Sequence, residues 1–151
     1  PIKIFARNVG VAFQIINDLN DWQGDQHNKL EAGGDVLGGR PTLLWALALA
    51  NLDKTDQEQL LHLIDPDNDL EQAAKLKQVE KLYRKARVFE QANMLVEKHE
   101  QRALEAAAKV DSEAMQRLML YLVDTVLEKA SPPEPAVVDV QQISTLPITS
   151  K

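Results

Sequence analysis

The sequence predicts an all-α protein, and three observations support this prediction. Apolar residues recur at intervals of three and four along most of the chain, which is the spacing of helices with one buried face. Aromatic residues make up only 5% of the chain, so the residues that strands favour are scarce. Four of the 7 prolines lie in residues 131–151, where no helical period is present. We therefore expect five or six helices within residues 1–130, followed by an extended or disordered tail.

The first predicted helix runs from Ile2 to Trp22. Its apolar positions form one stripe at helical spacing, namely Ile2, Phe5, Val9, Ala12, Phe13, Ile16 and Leu19. Gly10 lies inside this helix, where glycine costs roughly 1 kcal/mol relative to alanine. We therefore expect another element to pack closely against Gly10.

Residues 23–39 are predicted to form a loop, because they hold five of the chain's 6 glycines. Flexible backbone with accessible amide groups suits the surroundings of an anion. An ordinary connector between helices is the alternative interpretation of the same glycines.

The next two helices are predicted from proline and capping signals. Pro41 suits the first turn of a helix, and the apolar run that follows it predicts a central, buried helix. Thr55 or Asp56 is the expected cap of a short helix that ends at Asp65.

Two longer helical stretches follow. Residues 69–109 are helical with a break near 84–87, and Asp111 or Ser112 caps a last helix.

Composition excludes several classes of function. The net charge is -6 and no basic stripe is present, so we expect no nucleic-acid partner. No apolar run approaches the roughly 20 residues that span a bilayer. The absence of cysteine excludes thiolate metal sites and fits a cytoplasmic protein.

The sequence does not begin with Met, and its first residues already show a helical pattern, so we expect a chain cut from a longer protein. The three histidines have no partner at metal-ligand spacing and are expected on helix surfaces.

The first helix carries the residues with chemical potential. Gln14, Asn17, Asp18 and Asp21 are three or four residues apart and share one helix face. Oxygen donors without Cys or His suit a hard cation such as Mg²⁺. From these residues alone, a solvated acidic helix end remains the alternative.

Residues 10–42 resemble the second aspartate-rich region of trans-isoprenyl (polyprenyl) diphosphate synthases. That region shows an FQ dipeptide, a DDxxD motif, a loop with Gly-Lys, a G-x-D and then Gly-Lys-x-Thr. The matching residues here, in order, are Phe13-Gln14, Asp18, Asp21, Gly33-Gly34-Asp35 and Gly39-Arg40-Pro41-Thr42. The resemblance implies the C-terminal part of the isoprenoid-synthase helical bundle.

The resemblance also implies an activity and a set of site residues. Members of the family condense isopentenyl diphosphate with an allylic diphosphate, with Mg²⁺ as the cofactor that assists ionisation of the allylic diphosphate. Carried over residue by residue, Asn17, Asp18 and Asp21 would be metal ligands. Gln14, Lys29 and Arg40 would be substrate-binding residues. No catalytic residue is assigned in this half of the family's fold.

This sequence departs from the family's pattern in three respects. Asn17 replaces the first aspartate, Arg40 replaces a lysine, and Lys29 is separated from Gly33 by a longer gap. The first aspartate-rich motif is absent from residues 1–151, so we expect this segment alone to be inactive and its bare apolar faces to form homo-oligomers. Two other functions stay open: a non-catalytic regulatory subunit of the same fold, and a helical protein-interaction module.

Overall fold

A computed structural model of the protein describes residues 1–23, 33–65 and 67–127. These residues contain seven helices and no strand, which confirms the all-α prediction. The expected number of five or six helices is too low, because residues 34–37 form a helical turn within the predicted loop. In chain order the helices are α1 Ile2–Gln23, α2 Gly34–Leu37, α3 Leu43–Asn51, α4 Lys54–Ile64, α5 Gln72–Lys85, α6 Val88–Ala107 and α7 Glu113–Val126. The predicted tail at 131–151 lies outside the described residues.

The core is built around the pair formed by α1 and α6, which pack against each other more extensively than any other described pair of helices. Helices α3, α5 and α7 also pack on α6, and α4 pairs with α5. Along α1 the buried residues Phe5, Ala12, Ile15 and Leu19 follow the helical period, because only one face meets the core. The central pair thus fixes the position of the acidic end of α1.

The first helix confirms its predicted limits to within one residue, but one expectation about it is wrong. Nothing among the described residues lies within 4 Å of where a Cβ on Gly10 would be placed. Gly10 is also exposed. Close packing by the described residues therefore does not explain this glycine.

The segment at 33–39 was predicted as a loop and instead contains one helical turn, α2. Gly33 precedes this turn with a φ of 79°, a left-handed conformation that favours glycine. A Cβ on Gly33 would also overlap the side chain of Leu76. This glycine therefore lets α2 lie close to both α1 and α5. Residues 24–32, the rest of the predicted loop, are outside the described residues.

Three helix ends test the capping predictions. Ser112 caps α7 through its side chain, as one of the two predicted alternatives. The cap of α4 is Asp53 rather than Thr55 or Asp56, because the Asp53 carboxylate accepts the hydrogen bond from the Asp56 amide. Helix α3 is capped by Thr42, so Pro41 lies before the helix rather than in its first turn.

The predicted break near residues 84–87 is present. Helix α5 ends at Lys85, and Arg87 adopts a φ of 54°, which interrupts the helical path before α6 begins. A cluster of aromatic rings joins the two helices to α1, since the Tyr83 ring lies 5.1 Å from that of Trp22 and 6.1 Å from that of Phe89. None of the helices in the described part of the chain combines the length and the apolar character that crossing a bilayer requires.

Candidate functional site

Asp18 is a buried carboxylate near the end of α1, with 5% of its surface exposed. Its Oδ1 accepts a hydrogen bond from Gln14 Nε2 at 3.0 Å, one helical turn earlier. Its Oδ2 accepts a hydrogen bond from the Leu43 amide at 3.1 Å. Leu43 is the first residue of α3, where amide groups lack partners within the helix and the helix dipole favours negative charge. Asp18 therefore ties α1 to the start of α3.

Asp21 makes the corresponding connection to α2. Its Oδ2 accepts a hydrogen bond from the Asp35 amide at 3.1 Å, and its backbone carbonyl accepts one from the Gly33 amide at 2.8 Å. Position 34 is glycine, and a Cβ there would lie 3.3 Å from Asp21 Oδ1. The glycines of the G-x-D segment thus allow its backbone to approach the Asp21 carboxylate.

Asp35 and Arg40 form an ion pair across the turn that follows α2. Arg40 Nε lies 2.8 Å from Asp35 Oδ1, and the Arg40 amide donates to the Asp35 carbonyl at 2.9 Å. The arginine side chain is 67% exposed and the aspartate side chain 25% exposed, so the cation stands at the solvent edge of the site. From this edge, Arg40 retains donors for an anionic ligand.

Burial raises the pKa of the Asp21 carboxyl, and the neighbouring charge of Asp35 raises it further. Hydrogen bonds from the Asp35 and Gly34 amides and the charge of Arg40 act in the opposite direction. The carboxylates of Asp21 and Asp35 therefore repel each other, and a bound cation would relieve that repulsion.

A pocket of about 460 Å³ opens beside these carboxylates. Its lining combines polar groups with an apolar wall and comprises Val11, Gln14, Ile15, Asp18, Asp35, Arg40, Pro41, Thr42 and Leu43. The residues of α1 and of the segment before α3 thus converge on one cavity, which is large enough for a small phosphorylated ligand.

The structure brings together most of the residues that the sequence singled out. Gln14, Asp18 and Arg40 line the pocket, and Asp21 lies behind them in contact with Asp35. The side chain of Asn17 is exposed. Lys29 lies outside the described residues. The assignment of these residues as metal ligands and substrate contacts remains a prediction.

The donor set fits a magnesium ion. All the side-chain donors on the acidic face of α1 are oxygens of carboxylates or amides. Within the described parts of the chain, no three His, Cys, Asp or Glu side chains are grouped closely enough to hold a metal by themselves. Magnesium usually takes only one or two carboxylates and completes its shell with water and substrate phosphate.

The family is decided by a comparison of the whole sequence with known families. A family model described as polyprenyl synthetase matches residues 1–83, which is more than half of the chain. The chain belongs to the polyprenyl synthetase family. The matched part of this polyprenyl synthetase chain runs from α1 to Tyr83 near the end of α5, and so contains every residue of the pocket.

A curated relative supports the same family. The chain is 35% identical over 69 residues to a protein of Methanocaldococcus jannaschii named short chain isoprenyl diphosphate synthase. The match covers 44% of this polyprenyl synthetase chain and 21% of the relative. The chain thus spans about a fifth of that relative's length in the match. No solved structure matches it.

Sequence reasoning missed two residues of this polyprenyl synthetase site. Asp35 was recognised as part of the G-x-D segment but not as a member of the site, although its carboxylate lines the pocket. Tyr83 lies near the carboxylates from α5 and is fully buried. Burial raises the pKa of its phenol, the nearby Thr42 side chain lowers it, and the charges of Asp18, Asp21 and Asp35 raise it. No local pattern predicts this contact, since Tyr83 is far from them along the chain.

Proposed function

We propose that this protein acts in a prenyltransferase reaction that joins isopentenyl diphosphate to an allylic diphosphate. The observation that supports the proposal best is that Gln14, Asp18, Asp35 and Arg40 line the same pocket. It combines carboxylates for a divalent cation with a guanidinium group for a phosphate, next to an apolar wall.

The proposed roles follow from the chemistry of each side chain. Asp18 and Asp21, with the Asn17 amide oxygen, would hold Mg²⁺, which neutralises the diphosphate so that it becomes a better leaving group. Arg40 would bind diphosphate oxygens at the solvent edge, where its forked donors suit a phosphate. Gln14 holds Asp18 in position through its hydrogen bond. Asn17 carries no negative charge, so we expect weaker metal binding than a third carboxylate would give.

We propose that residues 1–151 alone do not complete this reaction, because they lack a first aspartate-rich motif. Binding of Mg²⁺ and an allylic diphosphate is therefore the first property to measure. Turnover requires the residues that supply the other side of the cavity. We expect the protein to assemble with itself and to remain in the cytoplasm.

The test is isothermal titration of the protein with dimethylallyl diphosphate, with Mg²⁺ and with EDTA. We expect a Mg²⁺-dependent binding event that is absent in EDTA, and at least about tenfold weaker Mg²⁺-dependent binding by Asp21→Asn, which corresponds to about 1.4 kcal/mol. Asparagine removes the charge but keeps an acceptor for the Asp35 amide. Asp124→Asn on the exposed surface of α7 is the matched control. Equal binding in EDTA, or an Asp21→Asn variant as tight as the control, would contradict the proposal.

A regulatory subunit with the same fold is the second candidate. One observation favours it: both oxygens of the Asp18 carboxylate already accept hydrogen bonds within the protein. An assay of condensation with a longer form that contains a first aspartate-rich motif separates the two candidates. Turnover supports the enzyme, whereas Mg²⁺-dependent binding without turnover supports the regulatory subunit.

A further inference from the structure

A second groove lies between the first half of α1 and the last turns of α6, with a volume of about 600 Å³. It is lined by Pro1, Ile4, Arg7, Asn8, His99, Arg102, Glu105, Ala106 and Lys109. None of these residues lines the pocket at Asp18. The groove is therefore separate from the carboxylate site, although both lie along α1.

The charge of this groove is opposite to that of the carboxylate site. Arg7 comes from α1, Arg102 from α6, and Lys109 from the turn that follows α6. Glu105 supplies the one carboxylate of the lining, and it accepts a hydrogen bond from Gln101 Nε2 at 3.3 Å. Among the side chains of the lining, three cations face one anion, so the groove favours a ligand with more than one negative charge.

A buried asparagine fixes the orientation of the histidine in this groove. Asn8 is 7% exposed, and its Nδ2 donates to the Ile4 carbonyl at 2.7 Å. Its Oδ1 consequently faces His99 Nδ1, at 2.8 Å. Because this oxygen only accepts, the proton of the neutral ring is on Nδ1. The other ring nitrogen, Nε2, therefore carries a lone pair in the neutral ring and donates only when the ring is protonated.

The local field agrees with this picture of the groove. Burial lowers the pKa of His99, and the positive charges of Arg102, Lys98 and Arg7 lower it further. The charges of Arg7 on α1 and Arg102 on α6 thus both act on the His99 ring. A multiply charged anion placed between them would meet two guanidinium forks, the donors best suited to phosphate oxygens.

We propose that the groove between α1 and α6 binds the diphosphate group of a small anion, without a metal ion. Arg7, Arg102 and Lys109 contact its oxygens, and the ring of His99, held by Asn8, lies beside the bound group. Ile4 and Ala106 form an apolar wall that accommodates the organic part of a diphosphate ester. This inference does not depend on the proposed prenyltransferase reaction.

The protein is titrated with inorganic pyrophosphate in EDTA. Binding is measured by calorimetry and through the ring signals of His99 in NMR spectra. We expect saturable binding that shifts the His99 signals. We also expect the affinity to fall at least about tenfold in Arg7→Gln and in Arg102→Gln, since each removes a charge-assisted contact. Arg117→Gln on α7, where the side chain is 74% exposed, is the matched control and should bind like the unchanged protein.

Titration with an alkyl diphosphate beside pyrophosphate distinguishes a diphosphate ester from the free ion as the ligand. Tighter binding of an alkyl diphosphate than of pyrophosphate supports an ester, and equal binding supports the free ion. Asp21→Asn should leave this metal-independent binding unchanged, which separates the groove from the carboxylate site. Absence of saturable binding, full affinity in Arg102→Gln, or tighter binding of an acidic peptide than of pyrophosphate would each overturn the proposal.

Discussion

Tyr83 is a residue whose polar group lies in an unusual environment. Its side chain is fully buried, and its hydroxyl, although near the Thr42 side chain, has no hydrogen-bond partner of acceptable geometry among the described residues. Its ring makes aromatic contacts with Trp22 and Phe89. Burial of a hydroxyl without a partner costs about 1–3 kcal/mol. Packing of the ring, rather than bonding of the hydroxyl, therefore accounts for the stabilising role of Tyr83.

We predict that Tyr83→Phe leaves the free energy of unfolding unchanged or raises it, because the substitution keeps the ring and removes an unpaired polar atom. Urea denaturation followed by circular dichroism measures this change. Tyr121→Phe, at a position that is 64% exposed, is the control for loss of a hydroxyl. A loss of more than about 1 kcal/mol in Tyr83→Phe alone would show that the hydroxyl is bonded in solution.

At this scale the sequence predicts part of the site. Asp18, Asp21 and Gln14 share a face because helical geometry alone requires it. The partners of the two carboxylates were not predictable, since the Asp35 and Leu43 amides lie 14 and 25 residues further along the chain. Only the packing of α2 and α3 against α1 brings them into reach.

At the scale of the element, α1 carries a glycine in an exposed position. Gly10 has open space around its Cα within the described residues, and its φ is not positive. The helix thus accepts a larger residue there without steric conflict. Gly33 differs in both respects, because its φ is 79° and Leu76 occupies the space for a side chain.

We predict that Gly10→Ala stabilises the protein by roughly 1 kcal/mol, through better helix propensity and a less flexible unfolded chain. Gly33→Ala should destabilise it, because alanine is strained at a positive φ and overlaps Leu76. Thermal denaturation of the two variants measures both effects. A lower melting temperature for Gly10→Ala would show that this glycine is needed for contact with another segment or chain.

Helix ends were predicted with mixed success, for a physical reason. Ser112 was a correct alternative because it is followed directly by a helical run. Asp53 was missed because several capping residues stand close together before α4. The structure selects Asp53, which caps α4 and also lies 3.4 Å from Lys85 on α5. Asp56 also pairs with Lys85, so the start of α4 at Lys54, rather than the contact with α5, makes Asp53 the cap.

At the scale of the whole molecule, apolar side chains of α7 remain on the surface. The exposed ones are Met115, Leu118, Leu120, Tyr121 and Leu122, with Leu118 50% and Leu120 45% exposed. Helix α7 buries Met119 and Val123 against the core, so these residues belong to its other faces. Several exposed apolar side chains on one helix are typical of an interface between proteins.

We predict that residues 1–151 self-associate through α7. Leu118→Glu should shift the distribution toward the monomer, because a buried unpaired charge opposes the contact. Leu61→Glu on α4, where the leucine is 51% exposed, is the matched control. Light scattering over a range of concentrations measures the mass. A monodisperse monomer for the unchanged protein would contradict the prediction.

The fold class was predictable because each long helix shows its own period, and the resemblance in residues 10–42 added the family. The arrangement of the helices was not predictable from period alone. Helices α1 and α6 are far apart in sequence and yet form the central pair. Complementary apolar faces permit many pairings, and the full set of contacts selects one.

The bonds of Asp18 and Asp21 give these residues a structural reason to persist through evolution, independent of any ligand. Asp18 fastens α1 to α3, and Asp21 fastens α1 to α2, before any ligand is present. Selection for folding alone would therefore preserve both acids in a descendant that had lost its reaction. Conversely, Asn17, whose side chain is exposed, stands at a position freer to drift. If this acidic motif were lost in evolution, we would expect substitution at position 17 before substitution at Asp18 and Asp21.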